Sequence, residues 1–167
     1  MNSKLNDIHF STDDWEFSYR VGGLLYRNGK LLLQHNRGEE EYSVPGGHSS
    51  FGEFTEETLA REWMEETGAA VNVGRLCAVV ELFWQWVKPC HQLNFFYLLE
   101  LKNPEALPGG SFPLLDDLGQ PRGNLEFSWV SLEQLDRIKV YPTCLQPYLK
   151  QLPDQILHLQ QNELEES

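Results

Sequence analysis

GHSSFGEFTEETLAREWMEETGA, the run from Gly47 to Ala69, holds seven charged or glycine residues at fixed spacing, written G-x5-E-x7-R-E-U-x-E-E-x-G with U a bulky apolar residue. Gly47, Glu53, Arg61, Glu62, Trp63, Glu65, Glu66 and Gly68 fill the pattern. With each fixed residue roughly one in fifteen by ordinary composition, a chance match occurs about once in 10⁸ starting positions. The spacing predicts one helix over about 56–67, with Thr55 as its N-cap, Glu56 and Glu57 in the positive first turn and Gly68 as a left-handed C-cap. Turning about 100° per residue from Leu59, the residues Leu59, Ala60, Trp63 and Met64 occupy one arc, and Glu62, Glu65 and Glu66 another. One face is expected to be buried and the other armed. Three acids at i, i+3 and i+4 repel one another, so gathering them calls for a cation, and hard oxygen ligands favour Mg²⁺ or Mn²⁺ over Zn²⁺.

An acidic helix face is more often only solvated. The segment before it changes that balance. Tyr42-Ser43-Val44-Pro45-Gly46-Gly47 reads as a short strand ending in a glycine turn, where backbone can approach a ligand without a Cβ in the way. Strand, glycine turn, loop acid and acid-faced helix together make a site.

With these residues in place the chain resembles the Nudix hydrolases, whose signature is this loop and helix. The match is complete at the charged and glycine positions, and it departs only at packing positions, with Ala69 smaller and Trp63 larger than the usual aliphatic. The resemblance extends more loosely over about residues 17–140. It implies an α/β fold, an α/β/α sandwich around a mixed central sheet, and cleavage of the diphosphate in a nucleoside diphosphate linked to a group X. It further implies that Glu62, Glu65 and Glu66 coordinate one or more Mg²⁺, that Glu53 is an outer or additional ligand at the rim, and that one acid deprotonates or orients water. Arg61, four residues after Glu57 and four before Glu65, is spaced to orient carboxylates through ion pairs. Metal-assisted phosphoryl chemistry needs no nucleophilic side chain. A further acid outside the box occurs in some members, and Glu126, ahead of the β-like run Phe127-Ser128-Trp129-Val130, is the candidate metal ligand here, with Glu81 and Glu100 as weaker rivals.

Substrate contacts are less determined. Gly46 and Gly47 lie against the expected phosphate site, and Trp84 and Trp86 alternate onto one strand face where a base could stack. Of Arg20, Arg27 and Arg37, near the ends of the first strands, Arg37 is favoured as a phosphate contact. His48, next to the glycine turn, is placed for a substrate-side role, although a loop histidine is more often structurally incidental, and the five histidines show no ligand spacing. Beyond the box no substrate subgroup of the family is matched: there is no proline as in ADP-ribose types, no tyrosine as in dinucleoside polyphosphate types, and no SQPWPFPxS run as in NADH types.

A chain of 167 residues, 41% hydrophobic and 12% aromatic, is expected to form a single domain over 1–167. A net charge of −12 argues against a nucleic-acid polymer as partner, whereas a small anion can be met by a bound cation. No apolar run of membrane length and no export signal is seen, so neither a membrane nor a compartment other than the cytoplasm is indicated. A homodimer is compatible with the sequence, with no feature that specifies it. Cys77, Cys90 and Cys144 have no metal spacing and suggest no disulfide framework.

Strands are expected at Phe17 to Tyr26 and Lys30 to His35 around an Asn28-Gly29 turn, and at Gly74 to Val87 and Gln92 to Leu101. Asn103 to Gly123, rich in Pro and Gly, is expected to be a loop, Ser131 to start a helix, Leu145–Leu152 and Pro153–Gln161 to form a C-terminal helical pair within about 142–161, and the acidic tail from Asn162 to fray. The functional expectation is a Mg²⁺-dependent hydrolase of nucleotide-type diphosphates. A non-hydrolysing nucleotide or nucleotide-sugar sensor is the alternative, disfavoured by the intact acids. Prenyl diphosphate isomerisation would need a cysteine and histidine set that is not found.

Overall fold

A computed structural model describes residues 6–165. In chain order it forms β1 (His9–Ser11), β2 (Glu16–Arg27), β3 (Lys30–Asn36), β4 (Glu41–Ser43), β5 (Gly46–His48), α1 (Thr55–Thr67), β6 (Val71–Gln85), β7 (Pro89–Leu101), β8 (Phe112–Leu115), β9 (Pro121–Ser131), β10 (Lys139–Tyr141) and β11 (Leu157–Asn162). The turn expected at Asn28-Gly29 joins β2 to β3, and both residues have positive φ, as that hairpin turn requires. β2 is the organising strand. It pairs antiparallel with β1, β3 and β5 and parallel with β7, in a path β10-β4-β3-β2-β7-β6-β11. The remaining parallel pairs are β4 with β10 and β6 with β11.

The sheet is mixed, as expected, and its two faces bury separate cores. On one face Leu59 and Trp63 of α1 pack with Val21, Tyr97, Leu99 and Phe127. On the other, Leu24, Phe96, Val80 and Val140 meet Leu135, Leu145 and Leu149. Fully burying a side chain of this size contributes about 1.5–3 kcal/mol, so these two layers carry most of what opposes chain entropy.

Only α1 is an α-helix among the described residues; the second covering layer consists of 3₁₀ turns at Leu132–Asp136 and Gln146–Tyr148. The C-terminal helical pair is therefore corrected. Pro147 and Pro153 interrupt any longer helix. Leu157 and Leu159 alternate inward against His158 and Gln160, a period of two that builds β11 parallel to β6. The expected fraying also fails at its start, because Asn162 ends that strand and the Glu163 N–H donates to the Phe83 carbonyl at 2.8 Å. The rest of that expectation, at Glu166 and Ser167, lies outside the described residues, as do residues 1–5 of the expected domain.

The Asn103 to Gly123 loop likewise contains β8 and the start of β9. Phe112 and Leu114 are buried while Ser111 and Pro113 face out, so a strand alternation was hidden among the prolines. Among the described residues β8 pairs only with β9, leaving an edge where Pro113 needs no ladder N–H, and Pro121 opens its strand.

Candidate active site

The helix carrying the acids begins one residue earlier than expected. Phe54 is the N-cap, and its N–H donates to the Glu57 carboxylate at 2.7 Å. That frees the Thr55 hydroxyl to pair with the Tyr97 hydroxyl on β7, tying the helix start to the sheet. Gly68 closes the helix with φ 74°, and its N–H reaches the Met64 carbonyl. The buried stripe is Thr58, Leu59, Trp63 and Glu66, while Met64 is exposed. Glu66 thus belongs beside the apolar arc rather than opposite it, because seven residues after Leu59 the helix has made nearly two turns. Its burial is the main electrostatic fact of the site.

Arg61 ties the other acids together. Its Nε and Nη2 donate to Glu53 at 3.0 and 2.9 Å, and Nη1 donates to Glu62 and Glu65, each at 3.3 Å, while Nη2 also reaches the Ser50 hydroxyl at 3.1 Å. The expected partner Glu57 is engaged instead at the N-cap. Glu53 touches the acid set only through Arg61, as an outer partner. The Arg61 hydrogen bonds hold the Glu53 carboxyl below its ordinary range and raise the guanidinium above its own.

The glycine turn enters from the opposite side. β5 pairs with β2 through Val21↔Gly47 and Gly22↔Gly46, so close that a Cβ on Gly46 would lie 1.9 Å from the Val21 carbonyl oxygen. A Cβ on Gly47 would meet the Glu62 carboxyl carbon at 2.8 Å. Both glycines are needed for close approach, one to backbone and one to a site carboxylate.

These elements enclose a cavity of about 460 Å³ lined by Gly46, Gly47, Glu62, Glu65 and Glu66 together with Asp7, Arg20, His48, Asp116, Asp117 and Arg122. Burial, then repulsion from Glu62, pushes Glu66 up to about 8, with Arg122 3.9 Å away acting in the opposite sense. Burial also raises Glu62. His48 is pushed down to about 4, first by burial and then by Arg20, so it is neutral at physiological pH. Asp116 is engaged in its own turn, accepting from the Leu118 and Gln120 N–H groups at 2.9 Å each, which holds its carboxyl low.

The carboxylates of this cavity suit a hard divalent cation, and a buried, repelled Glu66 gains most from one. The donor set fits in kind. In the arrangement seen, no three Asp, Glu, His or Cys side chains among the described residues converge at ligand positions, and Arg61 donates to both Glu62 and Glu65.

Several expected residues stand elsewhere. Glu126 faces away from α1. Its neighbour Phe127 packs on Trp63 at 6.3 Å, and strand alternation sends Glu126 to the other face, where it meets His35 at 3.3 Å and Arg37 at 3.5 Å. It does not line the acid cavity, whose carboxylates outside α1 are Asp7, Asp116 and Asp117. Arg37, 70% exposed, serves Glu126 and lines neither large cavity; Arg20 does. Trp84 lines a second cavity, whereas Trp86 is 64% exposed and stacks on Trp84 at 6.2 Å. Glu81 pairs with His158 at 2.7 Å on the β11 side. Asp7, Asp117 and Arg122 were missed by the sequence reading. They come from the strap bridged to Ser50 and from the β8 to β9 hairpin, neither of which carries a local motif.

No helix among the described residues is long and apolar enough to cross a membrane, and the three cysteines are free. In comparisons with known proteins, residues 17–152 match the NUDIX domain. YjhB of Bacillus subtilis (strain 168), provisionally named an ADP-ribose pyrophosphatase, is 33% identical over 82 residues, 45% of this chain and 39% of that protein's length. Solved structures of similar fold include the MutT protein of Bacillus halodurans, with TM-score 0.59, 18% identity and coverage of 84% of this chain and 86% of that one. A UDP-X diphosphatase aligns with TM-score 0.54 and 22% identity over 90% and 68% of the two chains. A Streptococcus suis ADP-ribose pyrophosphatase gives 0.55 and 16% over 85% and 98%. With the domain matched over most of its length, and with the box complete on one helix and its glycine turn, this chain belongs to the Nudix family.

Proposed function

We propose that this protein hydrolyses the diphosphate bond of a nucleoside diphosphate linked to a second group, with Mg²⁺ or Mn²⁺ as cofactor. The observation that carries this reading is the single cavity in which Glu62, Glu65 and Glu66 face Asp117 and Asp7, with Arg20 and Arg122 as its cations. Glu62, Glu65 and Glu66 would hold the ion, which when bound neutralises phosphate oxygens and lowers the pKa of water. Glu53 fixes Arg61, and Arg61 fixes the side chains of Glu62 and Glu65, so the acids are presented in a set order rather than scattered by mutual repulsion. Water attacks phosphorus, the P–O–P bond breaks, and the proton lost by water passes to one of these carboxylates. The backbone turn at Gly46 and Gly47 lets the substrate approach the acids. A cytoplasmic setting accords with the three free thiols.

ADP-ribose and UDP-X compounds head the substrates to test, since two of the similar proteins are named for them. A panel of these, dinucleoside polyphosphates and nucleoside triphosphates, incubated with Mg²⁺ and resolved for phosphorylated products, tests the reading. At least one member should be cleaved at the diphosphate, and Glu65→Gln should lower its kcat by about 10² or more. A parent protein that binds nucleotides and cleaves none of the panel would make it a sensor instead.

A further inference from the structure

Arg20 makes no direct ion pair among the described residues, and Glu66, Glu62 and Asp7 act on its charge only from across the acid cavity. The other arginines near the site are engaged: Arg27 donates to the Pro104, Leu107 and Pro108 carbonyls, Arg37 meets Glu126, Arg61 holds three glutamates, and Arg122 stands 3.9 Å from Glu66. Arg20 makes one hydrogen bond, Nη1 to His48 Nε2 at 3.4 Å, and no ion pair among the described residues. For Nη1 to donate there, His48 Nε2 must be the bare nitrogen, so the contact is to a neutral ring. A guanidinium half withdrawn from water with no anion in direct contact, and only more distant attraction from Glu66, Glu62 and Asp7, carries a desolvation cost, and such a cost is reduced where an anionic ligand arrives.

Its position gives that ligand a direction. Arg20 and Gly46 line both the acid cavity and a second cavity of about 450 Å³ on the far side of the β2–β5 pairing. The second cavity holds Gln34 Oε1, Trp84 Nε1 and Asn94 Oδ1, three buried polar atoms with no partner. Its wall also carries Glu41 and Glu163. Carboxylates there disfavour phosphate, whereas two amide oxygens and an indole N–H, unsatisfied beside Leu82 and Phe96, suit an uncharged group that both donates and accepts.

We propose that Arg20 is the anion anchor of the substrate, gripping the phosphate that carries the organic group, and that this group is an uncharged hydrogen-bonding heterocycle held by Gln34, Trp84 and Asn94. The assignment rests on the diphosphate reading above and adds to it the substrate's orientation, with the heterocycle behind Arg20 and the scissile diphosphate before it.

The test separates ligand binding from fold and from turnover. Inorganic pyrophosphate with Mg²⁺ is titrated calorimetrically into the parent, Arg20→Gln, Arg20→Met and Arg20→Lys, and the metal-free proteins are melted alongside. Removing a desolvated charge that has no direct ion pair should leave the metal-free Tm of Arg20→Gln and Arg20→Met equal to or above the parent's, while their pyrophosphate Kd rises tenfold or more, about 1.4 kcal/mol. Arg20→Lys should recover part of that loss. A Kd within twofold of the parent's in both neutral variants, a lower Tm with unchanged Kd, or a parent that does not bind pyrophosphate would overturn the assignment. If the parent cleaves nothing in the substrate panel but loses pyrophosphate on Arg20→Gln, the anchor stands and the hydrolase reading falls. For the second cavity, Asn94→Leu should raise KM for a cleaved nucleotide at least tenfold with pyrophosphate Kd unchanged; an unaltered KM would remove the heterocycle from that cavity.

Discussion

Glu66 concentrates the electrostatics of the site in one side chain. It is 5% exposed, shares the helix face of Leu59 and Trp63, and lies near Glu62, so its carboxyl is raised from 4.5 to about 8 without a cation. The metal-free fold therefore keeps a proton that the unfolded chain releases near pH 4.5. The stability this contributes is fully present below about 4.5 and is lost as pH rises through about 8. Glu66→Gln stays neutral throughout. We expect the metal-free variant to melt above the parent at pH 8.5, with the gap closing as pH falls toward 4.5; melts that differ by the same amount at every pH would contradict this. The three helix acids were legible in the sequence because helical spacing is local. Among Arg20, Arg27 and Arg37 the sequence favours Arg37 over Arg20, since Arg20's place beside the acids depends on the β2–β5 register, which pairs residues 28 apart in Arg20 and His48.

At the scale of elements, the glycine turn and α1 act as one device, and the two glycines divide its labour. A methyl group at Gly46 would strike the Val21 carbonyl oxygen, which is backbone in a paired strand and has nowhere to move. Gly46→Ala should destabilise the fold by about 3 kcal/mol or more. At Gly47 the obstacle is the end of the flexible Glu62 side chain. Gly47→Ala should melt close to the parent yet lose most of its turnover, because the carboxylate is displaced. Denaturant melts and rates measured on both variants check the pair, and the account fails if Gly47→Ala is the less stable of the two. The box was readable as an element for the same reason: its glycines and acids constrain one another at short range. β8 and β11 were not, since prolines masked a period-two pattern in the first, and in the second the alternation of Leu157 and Leu159 was too short to outweigh a helical reading.

Over the whole molecule, the sheet brings together segments that no local pattern connects. The strap before β1 supplies Asp7, β2 supplies Arg20, and the β8 to β9 hairpin supplies Asp117 and Arg122 to a cavity whose floor is α1. The family's box determined the chemistry expected here, and the long central strands determined the mixed sheet, but the walls of the site follow from tertiary pairing. Glu126 illustrates the limit: its motif context was sound, and a single strand alternation turns it to the other face. The apolar cores do not involve the acid cavity, so the fold should persist without metal while the chemistry should not. The most direct measurement is the rate of product release from a cleaved nucleotide-type diphosphate, followed through chelation and re-addition of Mg²⁺ or Mn²⁺. The account predicts no turnover in excess chelator and recovery with either ion; full turnover in excess chelator would contradict it.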